Sequence, residues 1–324
     1  MSKYKIKPLW PKKINTYPLK SRKSKVFYKD FAERFNPDKS FQKFIQSLPN
    51  MLAGQDFKNF LFLIKEARKT NKPIIFSMGA HLIKVGLNPL IIDLMEVNAI
   101  SALAMNGAGI IHDFEIAFAG KTSENVSTQI KTGDFGMAKE TGEILNKAIN
   151  QGSKENIGLG ESVGKTIFYS DFPYKNLSLL YSAYKLNIPV TVHVGLGTDI
   201  IHFHPNVRGE AIGKTSMHDF FLFCSLIEQI EGGGVYINIG SAVVMPEVFL
   251  KAVSYIRNKG TTLDKFYTAV FDFNSHYRPS QNIIKRPFKE GKGKGFYFIG
   301  HHEIMIPLLT AAIKSINLSE ENNP

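Results

Sequence analysis

A chain of 324 residues with 44% apolar side chains is long enough for one large α/β domain, and that content excludes a largely disordered protein. The formal net charge of +12 invites a nucleic-acid reading, but residues 1–25 carry Lys3, Lys5, Lys7, Lys12, Lys13, Lys20, Arg22, Lys23 and Lys25 with no acid, which leaves the remainder nearly neutral. No apolar run reaches membrane-spanning length, no signal-peptide core is present, and the single Cys224 can form no internal disulfide, so a cytoplasmic protein is expected.

Three units follow from composition: a basic arm at 1–25, one α/β nucleotide-binding domain at 26–316, and a polar tail at 317–324. Tyr4, Leu9, Trp10 and Tyr17 suggest that the arm packs on another subunit; a solvated extension and an acidic partner are the alternatives. Residues 26–70 read as two helices, with Phe27, Phe31 and Phe35 at a spacing of four.

From Pro73 to Glu115 the pattern is strand, helix, strand, helix. Pro73–Ser77 is a short apolar run that ends at Met78-Gly79-Ala80-His81. Leu87, Leu90, Ile91, Leu94 and Met95 make one helical stripe. A second apolar run, Ile100–Met105, breaks at Asn106-Gly107-Ala108-Gly109, with His112 and Asp113 expected to face the same mouth. Glycines where a strand opens a helix allow close backbone approach and leave free N–H groups for an anion.

A helical pattern covers Thr122–Asn150. Gly152–Gly164 is glycine-rich and polar, which predicts a mobile connection, and Lys165 at its end could reach a phosphate. A helix over Tyr174–Leu186 precedes the strand Ile188–Val194, which ends in Gly195-Leu196-Gly197-Thr198-Asp199 and then His202-Phe203-His204. After a helix over Asp219–Ile230, Gly232-Gly233-Gly234 leads into the strand Val235–Ile239 and the turn Gly240-Ser241. The strand Phe266–Phe273 carries Asp272 and Ser275 at its end, and Phe296–Ile299 closes on Gly300-His301-His302-Glu303. Strands alternating with helices predict a doubly wound, mostly parallel sheet with helices on both faces.

The order and spacing of these strand ends resemble the deoxyhypusine synthase family across most of residues 70–316. The resemblance implies a Rossmann-like fold, NAD as cofactor, a homotetramer, and a transferase acting on a small amine such as a polyamine. It implies NAD contacts at Gly79, Ala80, His81, Asn106, Gly107, Ala108, Gly109, His112, Asp113, Gly240, Ser241, Asp272, Ser275, Gly300, His301 and Glu303, with Asp199 as the amine-binding acid. The family's nucleophilic lysine lies about nine residues after Arg-Pro, where this chain has Pro287; Lys285 and Lys289 flank it as candidates for a shifted nucleophile, and the family's adjacent tryptophan is missing. The expected function is therefore NAD-linked oxidation or aminoalkyl transfer at an amine, with the lysine displaced. A non-catalytic NAD-binding protein is one alternative. The other is a metal-dependent hydrolase built from His202, His204, His301 and His302.

Overall fold

The computed structural model describes residues 3, 5–11, 13–288 and 292–316. Six segments form strands: Ile74–Met78 (β1), Ala102–Asn106 (β2), Val190–His193 (β3), Val235–Ile239 (β4), Tyr267–Asp272 (β5) and Lys294–Ile299 (β6). β1 and β4 are buried at every position, as strands covered on both faces must be. All neighbours pair in parallel, in the order β3-β2-β1-β4-β5-β6. The chain therefore winds outward from β1 to β3, then crosses back to start again at β4. The point of reversal lies between β1 and β4, where ligands of such sheets bind.

The helices are α1 (Phe41–Ser47), α2 (Leu52–Lys69), α3 (His81–Lys84), α4 (Asn88–Glu96), α5 (Gly107–Ala119), α6 (Val126–Gln129), α7 (Lys139–Glu155), α8 (Leu159–Phe168), α9 (Leu179–Lys185), α10 (Gly209–Glu228), α11 (Val244–Asn258), the single turn α12 (Tyr277–Pro279) and α13 (His302–Lys314). Strand side chains alternate between two cores. Phe76, Met78, Leu103, Met105, Ile237 and Phe271 meet α2, α4, α5, α7, α8, α9 and α13. Ile75, Ala104, Tyr236 and Val270 meet α10 and α11. α10 passes round the β3 edge and gives Ile212 to the first core and Phe223 and Ile227 to the second.

Buried carboxylates fasten the outer helices to this frame. Asp113, fully buried on α5, accepts from Leu179 N (2.7 Å), Leu180 N (3.1 Å), the Ser178 hydroxyl and Asn88 Nδ2 (3.1 Å). It thereby satisfies the open N–H groups at the start of α9. Burial pushes its carboxyl up to about 6, against the pull of those bonds. Asp219 on α10 accepts from Gly160 N (2.9 Å) and Val192 N (2.8 Å), tying α8 to the sheet edge.

Several expectations need correction. Residues 26–40 form only a short turn at Tyr28–Asp30, and Phe27, Phe31 and Phe35 are exposed, because a four-residue spacing without apolar neighbours buries nothing. The described part of the arm carries one 3₁₀ turn, Leu19–Ser21; Leu9, Trp10 and Tyr17 are exposed on the single chain, which leaves packing on another subunit an expectation. Gly152–Gly164 is no mobile connection: it belongs mostly to α7 and α8, where glycines permit close packing. A Cβ on Gly152 would lie 2.6 Å from Ser162, and one on Gly160 would collide with Val190 O. Lys165 pairs with Glu155 (2.8 Å) instead of reaching a phosphate site.

Replacing Asp113 with Ala strands these buried donors and should cost about 3 kcal/mol. Urea unfolding of Asp113→Ala beside the wild type measures this; a loss below about 0.5 kcal/mol would deny the carboxylate its fastening role.

Candidate active site at the strand ends

At the reversal point the chain closes on itself. Gly79 N donates to Ile239 O (2.9 Å), and a Cβ on Gly79 would collide with Gly240 O. Gly240, at φ 60°, leaves room for the His302 ring, whose Cε1 would lie 2.6 Å from a Cβ there. His302 is fully buried; its Nε2 lies 3.2 Å from Phe271 O and donates to it, so Nδ1 is a bare acceptor with no partner among the described residues. His81 and Phe273 lean on this ring at 5.3 and 5.9 Å. Burial lowers the His302 pKa, which keeps the ring neutral. Around this plug Phe273, Asn274, Ser275, His301 and Glu303 are exposed, while Asp272 is buried with His276 Nε2 3.6 Å away. The Ser241 hydroxyl accepts from Met245 N and so caps α11.

A distinct cavity of about 210 Å³ opens between the ends of β2 and β3, lined by Lys84, Ala108, His112, Glu115, Glu124 and Asp199, among others. Its floor is the start of α5. Asn106 caps that helix by accepting from Gly109 N (3.1 Å). Position 107 must be glycine, because its Cβ would fall on Asp199 Oδ2. The Asp199 side chain is only 8% exposed, and its Oδ2 has no hydrogen-bond partner among the described residues. His202 stands beside it, also nearly buried. His202 Nδ1 accepts from Gly197 N (3.1 Å) and Asp199 N (3.2 Å), which leaves the proton on Nε2, 3.9 Å from Asp199 Oδ2. Burial raises the Asp199 pKa, and His202 only partly offsets this.

Across the cavity a short relay sets His112. The Thr122 hydroxyl has one proton and gives it to Glu115 Oε2 (2.5 Å); His112 Nδ1, 2.6 Å from the same oxygen, must therefore donate. The neutral ring then holds its lone pair on Nε2. Glu115 Oε1 accepts from Thr141 Oγ1 (3.2 Å), and Glu124 accepts from Gly136 N at 3.0 and 3.2 Å, so both glutamates are already engaged. Burial, with the Lys84 charge adding to it, brings the His112 pKa down to about 4.

Of the expected site residues, Gly79, Ala80, His81, Gly240, Asp272, Ser275, Gly300, His301 and Glu303 share the β1–β4–β5–β6 rim, while Asn106, Gly107, Ala108, Gly109, His112 and Asp199 gather at the cavity. Asp113 faces away from both, into α9. Lys285 ends a single wide turn, Ser280–Lys285, and is exposed; Lys289 lies outside the described residues. His202 sits in a 3₁₀ turn and His204 donates to Gly136 O (2.8 Å), so their rings do not converge. No cluster of three metal-ligating side chains occurs among the described residues. Thr122, Glu115, Lys84 and Glu124 were not singled out from the sequence; only the i,i+3 spacing of His112 and Glu115 on one helix could have signalled part of this set.

No protein-family model matches the sequence, and no curated protein matches it by sequence. Among solved structures the fold is similar to a LOR/SDH-type protein from Methanococcus maripaludis S2 (TM-score 0.50, 16% identity, covering 86% of this chain and 71% of that one). It is similar to an arginine dihydrolase of the ornithine–ammonia cycle in Cyanobacteria (TM-score 0.50, 15% identity), of which this chain spans 34% while 82% of this chain is covered. It is also similar to a deoxyhypusine synthase-type protein from Entamoeba histolytica (TM-score 0.50, 12% identity, 87% of this chain and 96% of that one). At such identities the likeness is one of fold: a doubly wound α/β protein with an all-parallel sheet. No helix among the described residues is long and apolar enough to cross a membrane.

Because His112 stays neutral while its unfolded counterpart protonates near the ordinary histidine value of 6.5, its contribution to stability is full above that pH and is lost as pH falls toward 4. Nitrogen-15 NMR at pH 6 should report a single tautomer with bare Nε2. Thr122→Val should mix the tautomers; an unchanged spectrum would remove the relay.

Proposed function

We propose that the protein is an NAD-linked enzyme that oxidises a small amine-bearing substrate at the carboxyl ends of the strands. The observation that carries this reading is Asp199: a nearly buried carboxylate in the cavity lining, with no hydrogen bond on Oδ2 and only the His202 ring 3.9 Å away, costs several kcal/mol unless a cation meets it. An ammonium group in the 210 Å³ cavity supplies that cation, and the bare Nε2 of His112 accepts a further N–H. The α5 N-terminus beneath Asp199 lowers the remaining cost by a modest amount.

The sheet order and the resemblance support a nicotinamide dinucleotide on the adjoining rim, where it would serve as the oxidant. The gap between Gly79 and Gly240 is filled by the chain, so the dinucleotide fits across the rim rather than through it, and the polar groups of Asn274, Ser275 and Glu303 are placed to hold it. A transfer step through lysine needs an amine made nucleophilic by an apolar pocket; exposed Lys285 lacks one and Lys289 lies outside the described residues, so the reading rests on the oxidation half of the family's chemistry. Exposed Val243, Phe273, Tyr277, Ile299 and Ile304 ring the same rim and support a homo-oligomer, a tetramer by resemblance, that covers it.

Titration calorimetry with oxidised and reduced nicotinamide dinucleotides should give saturable binding; no heat with either form ends the cofactor reading. Asp199→Asn should weaken amine binding at least tenfold while raising stability by about 1 kcal/mol, because it removes an unpaired buried charge. Loss of binding accompanied by loss of stability would instead make Asp199 structural.

A further inference from the structure

The charges that line the cavity define its ligand more narrowly than "amine". Glu115 and Glu124 are spent on Thr122, Thr141 and Gly136 N, which leaves Asp199 Oδ2 as the one carboxylate oxygen among the three that is buried without a hydrogen bond, its nearest polar neighbour being His202 Nε2 at 3.9 Å. Lys84, exposed at the end of α3, lines the same cavity and forms no ion pair or hydrogen bond among the described residues. It stands close enough to His112 for its charge to depress that ring. One anion short of hydrogen bonds, one unpaired cation and one neutral acceptor thus line a common space. A volume near 210 Å³ holds roughly seven waters at about 30 Å³ each, so the occupant has about seven to ten non-hydrogen atoms. A dinucleotide is far too large, and a ligand with an ammonium group at each end would set one of them against Lys84.

We propose that this cavity takes a small amino-carboxylate zwitterion, its ammonium on Asp199 and His112 Nε2 and its carboxylate on Lys84. This rests on the amine-handling role given to the site above and narrows it to amino acids in the broad chemical sense, with polyamines excluded. Lys84 then acts as the specificity determinant: it adds nothing to ammonium binding and decides what the other end of the molecule must be.

The probes are 4-aminobutanoate and 1,4-diaminobutane, which share an ammonium end and differ at the other. Calorimetric titration of the full chain without nucleotide should show the amino-carboxylate binding at least tenfold tighter, about 1.4 kcal/mol. Lys84→Met should erase that preference and Lys84→Glu should reverse it; because Lys84 is exposed, circular dichroism should show both variants folded. A diamine bound as tightly as the amino-carboxylate, a preference unmoved by Lys84→Met, or failure of both probes to bind overturns the proposal. Nucleotide binding is titrated separately: zwitterion binding without dinucleotide binding leaves this inference standing and removes the cofactor reading, and the converse removes this inference alone.

Discussion

A buried carboxylate with no close hydrogen bond on one oxygen is the constraint around which the ends of β2 and β3 are arranged. Asp199 sits over the first turn of α5 in the space that a side chain at 107 would need, and that is why a glycine stands there. The loop that carries it is pinned by His202, whose Nδ1 takes two backbone N–H groups and whose Nε2 stands 3.9 Å from Oδ2, beyond hydrogen-bond distance. The fold therefore holds a charge in a place where burial raises its pKa. Such strain is tolerated where it serves a ligand.

Comparison with the other buried acids sharpens the point. Asp113 and Asp219 lie as deep or deeper, and each is met by backbone N–H groups at a helix start. Each converts a buried charge into a fastening between layers: α5 to α9 in one case, α10 to α8 and β3 in the other. Burial still pushes both carboxyls up, to about 6 and about 7, so even well-bonded acids carry a desolvation cost here. Asp219 Oδ1 and Asp199 Oδ2 both lack a hydrogen-bond partner among the described residues; Asp199 differs in lining a cavity, beside Lys84 and His112.

The two ends of the rim divide the work. Between β1 and β4 the glycines are used up in packing the loops and the His302 ring, so the reversal point is closed and any extended ligand must lie over it. Between β2 and β3 the segment around α6, with Ser123, Glu124, Val126 and Phe135, builds one wall of a partly open space. The narrow space suits a small charged molecule and the open rim a long one. Ligands that spanned both places would need the strand ends at one level. Parallel register delivers it: Met78 pairs with Met105 and Ile239, and Asn106 with His193, so the strand ends align without further adjustment.

The amino-acid order by itself determined the alternation of strands and helices, because continuous apolar runs and 3.6-residue stripes are local patterns that burial in a parallel sheet enforces. It also marked the glycine turns and Asp199. Tertiary contacts alone decided which polar groups are spent and which are free. Asp113 and Asp199 look alike in the chain, yet one accepts from the start of α9 and the other has only the His202 ring, 3.9 Å from its Oδ2. Gly152–Gly164 has the composition of a loop, yet close neighbours make it helix. Thr122, ten residues from His112, fixes that ring's tautomer only because the chain folds back upon α5. Hydrogen-bond partners and burial are properties of three-dimensional neighbours, and residue type does not carry them.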